Sequence, residues 1–354
     1  MRLLDRYIFK TVFISIIGVL GVIIMLDTFG DFIRELDEIG RGNYTFLEAV
    51  IFTALTTPTA IYEFLPLSVL LGAIIGLGVL STTSELTVMM ASGISLLRII
   101  GSVMQVGIML MLISVVIGEF VVPHAEQYAE NRRSLAIADQ ITLKSKHGFW
   151  ARDGLSFINI RSVKSGGVLG DIYIFEMDEN HQQRVATYAE EAVYEDGKWT
   201  LRNISQSRIS EAGVERTRST SADWSTLLDP GLIDVVVVDP DHLSAQALNR
   251  YIEYLENNGL ESERYKLAFW VKITTPLSVA VMLLLAVPFV FGPLRSVTIG
   301  LRIMVGFMVG LVFHLMNQGF AQLGIVYDMS ALLSAGLPML LFFFISLLMI
   351  QRVR

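Results

Sequence analysis

The sequence predicts an α-helical membrane bundle of six transmembrane helices, interrupted by an inserted all-β domain of jelly-roll-like character. Three observations carry that prediction. Of 354 residues, 53% are hydrophobic and 17% charged, with a mean hydropathy of +0.56, whereas ordinary globular chains carry roughly 25% charged residues. The apolar residues fall in six runs, at about 9–29, 58–80, 99–119, 273–294, 303–326 and 330–350, each near the length of about 20 residues that a helix needs to cross the hydrocarbon core. Between the third and fourth runs lies a polar insert, about 120–270, with β-rich stretches broken by Asp-Gly.

The first run follows Arg2, Arg6 and Lys10, as a signal peptide would, but Asp27-Thr28-Phe29-Gly30-Asp31 contains no small-x-small cleavage site. It therefore reads as an uncleaved span. Orientation follows from lysine and arginine in the short segments. Arg2, Arg6, Lys10, Arg98, Arg295, Arg302, Arg352 and Arg354 all fall on one side. On the other, Asp27, Asp31, Glu35, Asp37, Glu38 and Glu48 outnumber Arg34 and Arg41. Both termini and the 81–98 loop are thus expected in the cytoplasm, and the insert outside it. The expected organisation is 1–120 for three spans, 121–270 for the external domain with flanking helices, and 271–354 for three further spans.

The loop after the second span predicts a short helix at about 82–93. Thr82 and Glu85 have capping-box spacing, and Gly93 is a natural stop. Leu86, Met89 and Met90 make the segment too apolar for a solvated loop. A helix resting on headgroups favours basic residues on its polar face, and none occurs from Leu80 to Leu97. Docking into a cytoplasmic partner is the better reading, since methionine suits adaptable interfaces.

In the insert, Asp153-Gly154 and Asp196-Gly197 sit between β-rich runs and predict two hairpins. Ile172 and Ile174 alternate with Tyr173 and Phe175, and Val235 to Val238 reads as a buried strand. Helices are expected at 124–140 and from Leu243 to Glu256. The second places Leu248, Tyr251, Ile252 and Leu255 on one face and stops at Asn257-Asn258-Gly259. Residues 119–272 hold 17 Lys and Arg against 24 Asp and Glu, a balance that argues against nucleic acid as a partner. The chain has no cysteine, so the domain relies on its own core.

No enzyme signature is present. The chain lacks G-x-x-x-x-G-K-[ST], H-E-x-x-H and G-x-S-x-G motifs, and His124, His147, His181, His242 and His314 have no metal-ligand spacing. A non-catalytic chain without metal or cofactor is expected. His314, Asn317, Gln318 and Gln322 share a helical face in the fifth span. That stripe serves either as interhelical hydrogen bonding or as a cavity wall. Arg34, Arg41, Arg132 and Arg133 suit an anionic headgroup, since guanidinium binds phosphate with paired donors. The alternative is that they pair with Glu35, Asp37, Glu38, Glu126 or Glu130.

Leu4-Asp5-Arg6-Tyr7, Leu71-Gly72-Ala73 running into Gly76-Leu77-Gly78, Ser84-Glu85-Leu86 before Ala91-Ser92-Gly93, Gly118-Glu119, and Phe291-Gly292-Pro293-Leu294-Arg295-Ser296 lie in an order that resembles the lipopolysaccharide export permeases, the LptF/LptG family. The resemblance covers the whole chain and departs at Asp31, Asp37 and Glu38, where the family is richer in lysine. It implies a permease subunit of an ABC transporter in the inner membrane, with its β-jellyroll in the periplasm. The implied partners are a homologous permease (LptF), two copies of the ATPase LptB, which hold the ATP, and the single-span LptC. The substrate would be lipopolysaccharide. The helix around Ser84, Glu85, Leu86, Met89 and Met90 resembles the coupling helix of the family, and spans one and five resemble its gate. That resemblance assigns Arg34, Arg132, Arg133, Phe307, Leu311, His314 and Asn317 to lipopolysaccharide.

Overall fold

The computed structural model describes residues 3–138, 141–142, 148–164, 167–178, 182–195, 198–210, 213–224, 239–291, 297–327 and 329–353. The chain begins with α1 (Leu3–Leu36), α2 (Phe46–Thr82), the short α3 (Glu85–Ala91) and α4 (Leu96–Val116). A π turn at Ile117–Val121 joins α4 to α5 (Val122–Ala138). Seven strands follow: β1 (Ile141–Thr142), β2 (Phe149–Asp153), β3 (Ser156–Lys164), β4 (Val168–Met177), β5 (Gln183–Glu195), β6 (Lys198–Ser210) and β7 (Gly213–Trp224). After a 3₁₀ turn at Pro240–His242 come α6 (Ala245–Asn257), α7 (Glu263–Phe291), α8 (Ile299–Val326) and α9 (Ala331–Val353).

Among the described residues, six helices are long and apolar enough to cross a membrane: α1, α2, the α4–α5 rod, α7, α8 and α9. They contain the six apolar runs of the sequence. Burial divides them into two classes. In α2 and α7, 78% and 72% of the most apolar stretch is buried, against 17% in α1 and 22% in α8. The first two form the centre of the bundle, where Val69, Ile74 and Leu77 pack with Val279, Met282 and Ala286. The outer helices keep broad apolar faces uncovered by this chain, including Met25, Leu26, Phe29, Met308 and Val312.

The insert is all-β with a helical second layer. Its described strands form one antiparallel sheet in the order β1-β3-β4-β5-β6-β7, with β2 also paired to β3. Ile158, Ile160, Ile172, Ile174, Ala189 and Leu201 point to one face and are buried with Leu248, Tyr251 and Leu255 of α6. This core is separate from that of the bundle. Helix α6 starts on Ser244, whose hydroxyl accepts from Ala247 N at 3.1 Å.

Local details differ from the sequence reading at several points. Asp153 pairs with Ser156, so the first hairpin turns on Gly154-Leu155 rather than Asp153-Gly154. Gly154 has φ +59, which suits the first central position of a type II′ turn. Asp196, Gly197 and Val235 to Val238 lie outside the described residues, although Glu195 and Lys198 pair across the second hairpin. The expected capping box at Thr82 does not form. Thr82 still belongs to α2 and its hydroxyl donates to Val79 O at 2.9 Å, while α3 begins after Ser84, in the left-handed region at φ 62. Gly93 does stop α3: with φ +87 it donates to Met90 O, and Ile94 N donates to Met89 O, the paired bonds of a Schellman end.

Candidate functional site

Helices α1 and α8 both lean on α2 through glycine. A Cβ on Gly72 would overlap the Ile16 backbone, and one on Gly76 would lie 3.0 Å from Val12 Cα. On α8, a Cβ on Gly306 would lie 2.6 Å from Ile74 Cδ1, and one on Gly310 would overlap Leu67 Cδ1. These are two small-xxx-small contacts, which let helices approach closely where the hydrophobic effect gives no drive. The four-residue glycine spacing is the signal that identifies them, and the sequence reading did not use it.

Between α1, α2 and α8 lies a groove of about 500 Å³, lined by Ser15, Gly18, Val19, Val22, Ile23, Leu71, Ile75 and Ile303. Apart from Ser15, every lining side chain is apolar. Phe307 and Leu311 follow Ile303 at intervals of four along the same face of α8, Phe307 exposed and Leu311 half-buried. His314 and Asn317 line a different space. They belong to an inner cavity of about 240 Å³ between α2, α7 and α8, shared with Thr59, Glu63, Asp241, His242, Thr275 and Gln318. The His314 ring stacks on Phe64 at 5.8 Å, and its Nε2 lies 3.1 Å from Gln318 Nε2. The cavity-wall reading of the polar stripe thus has a structural counterpart, whereas the His314–Gln318 contact lies within α8 rather than between helices, and Gln322 is exposed.

At the far end of α1 the arginines are engaged. Arg133 Nε donates to Glu35 at 2.7 Å, its guanidinium lies 5.3 Å from the Phe52 ring centre, and Tyr44 Oη donates to the same carboxylate at 2.9 Å. Glu35 is only 7% exposed, and a buried carboxylate is tolerable only when donors satisfy it in this way. Burial and the bond to Glu35 push the Tyr44 hydroxyl well above its ordinary pKa, so it remains a donor. Arg132 grips Glu48 with two bonds of 2.6 and 2.9 Å, a partner absent from the sequence expectation. Arg34 and Arg41 pair locally with Asp31 and Glu38. Arg34 remains largely exposed, so it is open to a further ligand. The loop beneath is locked to α5 by Asn43 N donating to Ala136 O at 2.7 Å.

On the opposite end of the bundle, α3 presents two faces. Leu86 is 2% exposed and sits in the main core, with Met89 and Met90 half-buried against it. These three side chains therefore hold α3 to its own bundle. Ser84, Thr87, Val88, Ala91 and Ser92 are exposed, with Val88 at 63%. The Glu85 carboxylate accepts from Thr83 Oγ1 at 2.9 Å and is half-buried. Val88 is the outward apolar side chain that sequence reasoning overlooked; periodicity marks it, since it lies half a turn from Leu86 and Met90.

A groove open on one side, a short helix with an exposed apolar side chain and a β-domain with its own core occur together along the chain, and comparison agrees on the same extent. The family model "Lipopolysaccharide export system permease LptF/LptG" matches residues 6–352. The chain is 40% identical over 352 residues to the lipopolysaccharide export system permease protein LptG of Escherichia coli strain K12, covering 99% of this chain and 98% of that protein. It is 38% identical over 353 residues to the protein of the same name from Haemophilus influenzae, covering 99% of each. Match and architecture run over the same residues, and the chain belongs to the LptF/LptG family of lipopolysaccharide export permeases.

Proposed function

We propose that the chain is an LptG-type permease subunit of an ABC transporter, extracting lipopolysaccharide from the inner membrane and passing it to a periplasmic β-jellyroll bridge for export to the outer membrane. The observation that carries this reading is the apolar groove between α1, α2 and α8, one side of which this chain leaves open. An acyl chain leaving the bilayer gives up about 0.8 kcal/mol per buried CH₂, so a multi-acyl lipid needs apolar walls and an external source of work. The chain supplies walls and carries no nucleotide-binding motif. ATP is accordingly held by the partner ATPase, two copies of LptB, against α3. The homologous permease LptF completes the cavity, and LptC continues the periplasmic path. Both termini and α3 are cytoplasmic in this scheme, and the sheet is periplasmic.

Within the groove, Phe307 and Leu311 contact acyl chains. Arg34, Arg132 and Arg133 meet phosphate at the outer rim. Arg133 spends its Nε on Glu35 and keeps other donors for phosphate, because a guanidinium has five N–H groups. His314 and Asn317 line the inner cavity behind α8 and act on the gate from that side.

A photoreactive residue placed at Phe307, Leu311 or Arg133 should give lipopolysaccharide adducts in cells. Adducts elsewhere in the complex but at none of these three would refute the groove assignment. Glu85→Ala should lower lipopolysaccharide release per ATP or weaken ATPase retention, and wild-type values of both would remove the coupling role of α3.

A further inference from the structure

The amino-terminal turn of α1 makes polar contacts that the proposed function does not use. Asp5 Oδ1 accepts from Ser102 Oγ at 3.0 Å and lies 3.7 Å from Arg98 Nε, both on the first turns of α4. The Asp5 side chain is 16% exposed and Ser102 is buried. Two residues on, the Tyr7 side chain faces Glu85 at the start of α3. One turn of α1 thus touches both elements that flank the Gly93 turn. Apolar packing reinforces the site, since Leu4, Ile8, Leu86 and Ile99 all belong to the same core.

The rest of α1 is held differently. Ile8, Val12 and Ile16 are buried against the bundle, and Glu35 is buried at the far end. From Ile17 to Ile33 the helix exposes Ile17, Val22, Met25, Leu26, Phe29 and Ile33. A helix fixed at its ends and loosely held between them responds to whatever moves its ends. Sliding apolar contacts transmit displacement poorly because they re-form in many registers. A charge-assisted hydrogen bond has one geometry and carries direction.

We propose that the Asp5–Tyr7 turn is a polar latch that hands the displacement of α3 to α1: Asp5 binds α1 to the start of α4, directly after the Gly93 turn, through Ser102 and Arg98, and Tyr7 bears on Glu85. Asp5 and Tyr7 are positioning residues, distant from both lipid and nucleotide. The inference rests on the coupling role of α3 and on α1 walling the lipid groove, both proposed above.

The test uses the whole complex, copurified with its partners and reconstituted in proteoliposomes. It reads ATP hydrolysis and lipopolysaccharide release separately. Asp5→Asn should leave assembly and hydrolysis intact while lowering release per ATP by about tenfold, the factor that loss of one charge-assisted hydrogen bond carries. Tyr7→Phe should act in the same direction, and the exchange Asp5→Arg with Arg98→Asp should recover most of the loss. Wild-type coupling in both Asp5→Asn and Tyr7→Phe overturns the latch. If Glu85→Ala is impaired while those two are silent, the latch alone fails; if Glu85→Ala is itself silent, the coupling reading fails and the latch with it.

A second measurement covers an Asp5→Asn chain that does not assemble. Because the natural chain has no cysteine, spin labels can be placed through Leu3→Cys and Leu97→Cys, both exposed positions, with the latch residues intact. The latch requires this distance to stay constant through the nucleotide cycle. Separation of the two labels on ATP binding overturns it.

Discussion

Gly72 leaves no room for a side chain, because any Cβ there would collide with the Ile16 backbone. The neighbour is main chain and cannot swing aside, so Gly72→Ala must push α1 away from α2. Overpacking of this kind costs about 1–3 kcal/mol. The expected outcome is a lower thermal midpoint in detergent, together with increased reactivity of a cysteine placed at Ile16, which is buried in the natural chain. Gly18 is the contrast: nothing lies within 4 Å of a Cβ there, so Gly18→Ala should leave the midpoint unchanged while narrowing the groove. Residue identity at both positions is plain in the sequence. Which glycine faces a backbone and which faces the groove depends on the rotation of α1 and α2 about their axes, which no local pattern specifies.

Among the elements, α3 shows how one short helix divides its work. Leu86 is the anchor and Val88 the exposed knob. Leu86→Ala removes a fully buried leucine and should destabilise by about 2–5 kcal/mol, with α3 detaching from the bundle and the ATPase lost on copurification. Val88→Asp should leave the thermal midpoint unchanged and still reduce ATPase retention, and full retention would exclude Val88 from the interface. The π turn at Ile117–Val121 is a second device. There Gly118 lies against the Tyr62 ring, and Glu119 accepts from Ala245 N at 2.7 Å at the start of α6. An inserted residue of this sort re-aims the side chains beyond it. The α4–α5 rod of 42 residues is about 60 Å long, roughly twice the hydrocarbon thickness, and its outer half is tied to the outer ends of α1 and α2 through Glu35 and Glu48. Six spans, two flanking helices and the existence of two hairpins were legible because each depends on local periodicity, although the first turn falls one residue beyond the Asp153-Gly154 pair that marked it. The π turn was not, since nothing in Ile117–Val121 distinguishes it from a regular helix.

For the molecule as a whole, the decisive prediction is topological. Accessibility tags in α3 and in the β6–β7 region should label from opposite faces of the membrane; labelling from one face would overturn the orientation and the transport scheme with it. Composition and period alone determined the class of this protein: six apolar spans and a β-rich insert. They did so because burial in lipid and pairing in sheets each impose a repeat that a linear chain displays directly. Tertiary structure decided how those parts divide the work. It turned Leu86 inward and Val88 outward, tied Arg132 to Glu48 and Arg133 to Glu35, and put His314 on an inner cavity that Phe307 does not line. Each of those outcomes depends on how helices rotate and cross, and contacts between residues far apart in the sequence settle that rotation.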